Sequence, residues 1–352
     1  MPDDDPRTGK VWPFLMSWTG RISALIALGA SIGGGFTWLV AHHRQKVERQ
    51  AQMALAQSEA AQAQYPAALK IYDDLLKSDP LDQPALDGQL DAVMLWAENF
   101  HAPDSTDAGP ALDQIMAILA AGLVRAKGPR AADILAHLGW AHWLNRHIAA
   151  REFGPDAEQN LRAALAADPH NVYANAMLGN WTLQNGGGIP DAVQLFNAAV
   201  ATGKARPFVR ALQLAGLVGC DAAAARIAVM RAANDMRRSG EPLDPDTRRR
   251  LVTFCCDVMF NNHVELAESL TAVPPQDAWS TYLWLDGPRS DAAAVRLQYL
   301  HHAFIHAYLS EIAGNEQQAL AQYRQLRLQL SAMPGSLLDA VNAAILRTSK
   351  SP

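Results

Sequence analysis

The chain has 352 residues, 49% of them hydrophobic and 7% aromatic, enough apolar content for one extended or two compact domains. A net charge of −5 argues against nucleic acid as a partner, since that calls for a basic face. The three cysteines, Cys220, Cys255 and Cys256, lack metal-ligand spacing, and the adjacent pair would bridge only under strain, so a disulfide framework is excluded and buried thiols are expected. Alanine is abundant and alternating β-branched runs are few, which predicts an all-α fold.

Residues 1–21 form a short polar tail with Trp12, Phe14 and Trp18 at interfacial positions. Residues 22–41, ISALIALGASIGGGFTWLVA, carry no charge. Twenty helical residues rise about 30 Å, so this stretch predicts a transmembrane anchor and a single-pass protein of the inner or plasma membrane. Its length and its His-Arg flank argue against a cleaved leader. Gly29 and Gly33 form a G-x-x-x-G pair, and Ser31 and Gly35 continue a small-residue ladder, which suits helix–helix packing in lipid and a possible homodimer. Arg7, Lys10 and Arg21 on one side balance Arg44, Lys46 and Arg49 on the other, so the side of the membrane stays open, with a lean toward an extracytoplasmic body.

Residues 42–352 contain recurring segments: AALKIYDDLLKSDP at 67–80, AEQNLRAALAADP at 157–169, AVQLFNAAV at 192–200 and ALAQYRQLRL at 319–328. Each opens on a small residue, places a large apolar residue four positions on, and adds a small or apolar one three later. Leu55-Ala56, Leu138-Gly139, Leu178-Gly179 and Ala307 with Gly314 precede them, where a small residue lets a second helix pack closely. Pro80 and Pro169 close the first two units, since proline cannot continue a helix.

Through these residues the chain resembles the tetratricopeptide repeat family, with the clearest units at 50–83, 131–169, 170–203 and 300–332. The resemblance covers about half the chain. It implies an all-α, helix-pair solenoid whose units bury their faces against neighbours, and a peptide- or helix-binding groove. The second unit departs by extra residues around Ile148–Gly154. Segments 84–130 and 205–300 match poorly but read as helix pairs, for example over Pro110–Arg125, Asp221–Arg238 and Asp246–Asn261. Residues 100–109 read as an exposed loop.

In the family, ligand contacts lie on the first helix of each pair. Carried over, the groove candidates are Asp133, Trp140, Trp143, Tyr173, Asn180, Gln184, Phe304 and Tyr308. Aromatics interspersed with polar groups suit a peptide groove, while packing between units is the structural alternative for each. The Lys and Asn set of a chaperone-tail clamp is missing apart from Asn180.

His302 and His306 share a helix face and His301 adjoins them, but no third ligand completes a metal set in sequence. Gly186-Gly187-Gly188 has no Lys-Ser/Thr after it and reads as a turn rather than a phosphate loop. Arg248-Arg249-Arg250 reads as a solvated helix start. No nucleophile elbow, zinc-helix or Cys/His motif occurs. The expected function is therefore a non-enzymatic, cofactor-free scaffold, held at the membrane through 22–41, that binds another protein. The alternatives are an accessory subunit docking through its membrane helix and, third, an enzyme on a helical scaffold.

Overall fold

A computed structural model describes residues 42–100, 105–149, 157–201, 207–220, 222–260, 272–287, 292–331 and 335–349. No β-strand occurs among them. The helices are α1 (42–61), α2 (Tyr65–Ser78), α3 (Gln83–Glu98), α4 (Ser105–Leu123), α5 (Gly128–His147), α6 (Ala157–Ala167), α7 (Val172–Gln184) and α8 (Ile189–Ala201). They continue with α9 (Pro207–Leu217), α10 (Ala223–Ser239), α11 (Pro245–Phe260), α12 (Pro275–Asp286), α13 (Ala292–Ile312), α14 (Glu316–Leu330) and α15 (Ser336–Thr348). The all-α expectation holds among the described residues.

None of these helices is long and apolar enough to cross a membrane. This finding corrects the single-pass placement in the inner or plasma membrane. The long helices α5 and α13 carry charged and histidine residues along their length, among them Arg130, Asp133, Arg296 and Glu311, which a bilayer core would reject. The stretch 22–41 itself, with Gly29, Ser31, Gly33 and Gly35, lies outside the described residues.

The chain divides into two compact units: Met1–His101 with Ala117–Gly122, and Ala102–Met116 with Leu123–Pro352. In the first, α2 and α3 each begin on a proline at the first helical turn, where its missing N–H costs nothing. Tyr72 is 1% exposed and lies against Gly88. A Cβ at Gly88 would stand 2.6 Å from the Tyr72 ring, so glycine is what allows α3 to approach α2. Ala56 and Ala68 are fully buried, as the repeat pattern expects, whereas Leu55 is exposed. Arg49 of α1 donates from Nε to Asp82 Oδ2 at 2.8 Å and from Nη2 to Asp79 Oδ2 at 3.2 Å, tying α1 to the α2–α3 turn.

The second unit is built of packed helix pairs. α5 packs on α6, α7 on α8, α9 on α10, α11 on α12 and α13 on α14. First helices contact first helices (α5 with α7, α7 with α9, α9 with α11), and second helices do the same (α8 with α10, α10 with α12). This is the layering that a repeat of paired helices produces. The small residues sit where the pairs meet: Cβ atoms added at Gly139 and Gly179 would point at Leu161 and Phe196. Ala164, Ala192, Ala199 and Ala319 are all fully buried.

The poorly matching segments are helical as well, with α4, α10 and α11 close to the expected bounds. The loop expected over 100–109 is shorter, because α4 already begins at Ser105 and Ala108 and Gly109 are buried. Pro110 lies inside α4 and removes one helical hydrogen bond.

Polar contacts fix the joints. Asn171 caps α7 by accepting the Ala174 N–H at 2.8 Å and donates from Nδ2 to Asp133 Oδ1 of α5 at 2.8 Å. Arg210, 4% exposed, makes two hydrogen bonds to the Glu241 carboxylate at 3.0 and 3.1 Å, clamping α9 to the turn after α10. Asp244 caps α11 by accepting the N–H groups of Asp246 and Thr247, both at 2.9 Å. The arginine run that follows is only partly free: Arg249 pairs with Asp246 at 3.0 Å and Arg248 donates to the Leu285 carbonyl of α12.

Candidate binding cleft

Most of the residues chosen from sequence have packing partners. On α5, Trp140 is 6% exposed, stacks on Trp143 at 4.5 Å between ring centroids, and meets Phe208 of α9 edge-on at 5.6 Å. Trp143 in turn stacks on the exposed His147 at 4.3 Å. Asp133 is occupied by the α7 cap. On α7, Tyr173 is buried edge-on to His137 at 4.4 Å, Asn180 is buried, and Gln184 is exposed at the end of the helix. Phe304 and Tyr308 belong to the core of α13, α14 and α15, where Phe304 meets Tyr323 at 5.8 Å. Burial pushes the Tyr308 phenol up to about 12. The α5 and α7 positions form one neighbourhood, and the α13 positions another.

That C-terminal core explains how a cleft is held open beside it. Leu300, Ala307, Tyr323, Leu326, Leu330, Val341 and Ala344 form one buried cluster with Tyr308. Tyr323 Oη donates to Glu311 Oε2 at 2.8 Å, and Arg347 of α15 grips the same carboxylate at 2.7 and 2.9 Å. Burial and the hydrogen bond to Glu311 raise the Tyr323 phenol above its ordinary value. Gly314, at φ +81°, makes the α13–α14 turn in a left-handed conformation that suits glycine. The turn carries the Asn315 N–H back to the Ser310 carbonyl at 2.9 Å.

Beside this core lies a cleft of about 340 Å³. Trp279 of α12 forms one wall. Tyr299, His302 and His306 of α13 follow at i, i+3 and i+7, and so do Gln322, Gln325 and Gln329 of α14. Ala303 and Leu326 make the apolar floor. Tyr299 is 63% exposed.

The His302 ring is fixed from three directions. Its Nε2 lies 3.0 Å from Asp286 Oδ2, and the rings of Trp279 and Tyr282 meet it edge-on at 5.2 and 6.0 Å. Trp279 and Tyr282 stack on each other at 5.8 Å. Gln298 donates to the same Asp286 oxygen at 2.6 Å. Across the cleft, Gln322 Nε2 faces His306 Nδ1 at 3.4 Å, while Gln322 Oε1 is buried with no hydrogen-bond partner.

Asp286 thus joins the histidine cluster seen in sequence, but among the described residues no group of three or more His, Cys, Asp or Glu could hold a metal. The free thiols Cys220, Cys255 and Cys256 lie outside the cleft lining; burial pushes Cys255 up to about 12, which leaves it an unreactive thiol. The cleft offers flat rings, neutral amides and the imidazoles of His302 and His306. Sequence reasoning missed Trp279 and the glutamine row. The i, i+3, i+7 spacing of Gln322, Gln325 and Gln329 was the available signal.

No family model matches the chain, and no curated relative matches it. Among solved structures, the chain is similar to a tetratricopeptide repeat protein from Parabacteroides merdae ATCC 43184. Identity is 8% and the TM-score 0.38, over 86% of this chain and 99% of that one. So slight a likeness carries no argument of its own, and the paired-helix reading stands on the packing described above.

Proposed function

We propose that the protein is an interaction module that takes an extended segment of another protein into the α12–α14 cleft. The carrying observation is the convergence of Trp279, Tyr299, His302 and three glutamines on one open cleft backed by a rigid core. Helix pairs stacked in layers are a scaffold on which such surfaces recur. Rings supply contact area at low entropy cost, and amides supply donors and acceptors for a peptide main chain.

Selection from a displayed peptide library on the full chain, repeated with Tyr299→Ala and with Gln325→Ala, tests the reading. Enriched peptides should lose binding to both variants. A library that enriches nothing, or peptides indifferent to both substitutions, would refute it. The same selection with Trp143→Ala asks whether the α5 face contributes, and no loss is expected there.

A further inference from the structure

We infer that the α12–α14 cleft selects an uncharged, proline-containing segment in the polyproline II conformation, an inference that rests on the peptide-binding reading above.

The lining has no Asp, Glu, Lys or Arg, so a strongly charged ligand would be desolvated there without a fixed counter-charge. Three helices form the walls, and their main-chain groups are spent within the helices. A ligand strand would therefore find no sheet edge to pair with. An amphipathic helix needs a continuous apolar groove for anchors at i, i+3, i+4 and i+7, but the aliphatic floor here is Ala303 and Leu326 alone.

A polyproline II segment fits each feature. It is narrow, its main chain makes no internal hydrogen bonds, and its carbonyls point outward to accept. The glutamine amides and the Trp279 and Tyr299 side chains carry donors for those carbonyls, and the two rings are flat platforms for pyrrolidine rings. The spacing agrees as well. Gln322 to Gln329, and Tyr299 to His306, each span seven helical residues, about 10.5 Å. One polyproline II turn advances about 9.3 Å, so the outer members of each row, Gln322 with Gln329 and Tyr299 with His306, stand about one ligand turn apart.

Calorimetric titration of the full chain tests this with three neutral nonapeptides or their equivalents: acetyl-(Pro-Gln-Pro)3-amide, acetyl-(Gly-Gln-Ser)3-amide and an uncharged amphipathic helix former. The proline peptide should bind at least about tenfold more tightly than the other two, and Tyr299→Ala and Gln325→Ala should each weaken it by about tenfold. Both side chains are exposed, so the fold survives, which circular dichroism checks. If the glycine-serine or helical peptide binds as well in a Tyr299-dependent way, the cleft still takes peptides but the conformational selection is wrong. If the proline peptide binds unchanged to both variants, the inference falls because the site is elsewhere. If no peptide binds at Tyr299, both readings fall.

Discussion

Gly139→Ala and Gly179→Ala add the same methyl group to the first helices of neighbouring pairs, yet their effects should differ. At Gly139 the new Cβ would lie 2.9 Å from the Ala157 carbonyl oxygen and 2.9 Å from Leu161 Cγ. The first is main chain, so α5 and α6 must separate by several tenths of an ångström. Overpacking of this kind costs about 1–3 kcal/mol, against about 1 kcal/mol gained from alanine's helix propensity. The net expectation is a loss of about 1 kcal/mol. At Gly179 the three atoms nearest the Cβ all belong to the Phe196 ring, at 3.2–3.3 Å, and a ring can shift by a few tenths of an ångström. The propensity gain then offsets the crowding, leaving a change near zero. Urea unfolding followed by circular dichroism at constant m-value measures both. Equal stability of the two variants, or a stabilised Gly139→Ala, would refute the close-approach account of α5 and α6.

Tyr323→Phe removes a hydrogen bond to a charged acceptor and should cost about 1–2 kcal/mol, since Arg347 still holds Glu311. Because burial raises both Tyr308 and Tyr323, the unfolded chain ionises its phenols first. Stability should be intact below about pH 10 and fall as pH rises toward 12, with a shallower fall in Tyr323→Phe; melting temperatures across that range are the check. For Asp244, partial burial opposes ionisation, but hydrogen bonds from Thr247 and from the capped N–H groups outweigh it and hold the carboxyl below its ordinary range. Its contribution is therefore present above about pH 3.9 and lost as pH falls through the depressed folded value, and Asp244→Ala should remove about 1 kcal/mol of helix capping at neutral pH. Native alkylation near pH 8 should spare Cys255 while the unfolded chain labels at all three cysteines; early labelling of Cys255 would contradict its burial.

The paired-helix plan was legible because it depends on local spacing. Gly139 and Gly179 mark where a partner helix approaches, and Leu161 and Phe196 lie four residues beyond the small residues Ala157 and Ala192. The α12–α14 cleft was not legible in the same way. Trp140 and Tyr173 look like groove aromatics in a repeat register, but what buries them comes from elsewhere: Phe208 of α9 against Trp140, and His137 of α5 against Tyr173. Such contacts depend on how successive pairs stack, which one helix's pattern does not contain. Asp133 illustrates the same limit, since its partner Asn171 lies 38 residues away. Trp279 sits in a segment with weak repeat character, and only the third dimension brings it opposite the α14 glutamines.

Hydrogen exchange on the full chain, with and without a selected cleft peptide, tests the central claim most directly. The account predicts added protection over residues 299–306 and 322–329 and none over 140–147. Protection confined to the α5 and α7 helices, or none anywhere at saturating peptide, would contradict it.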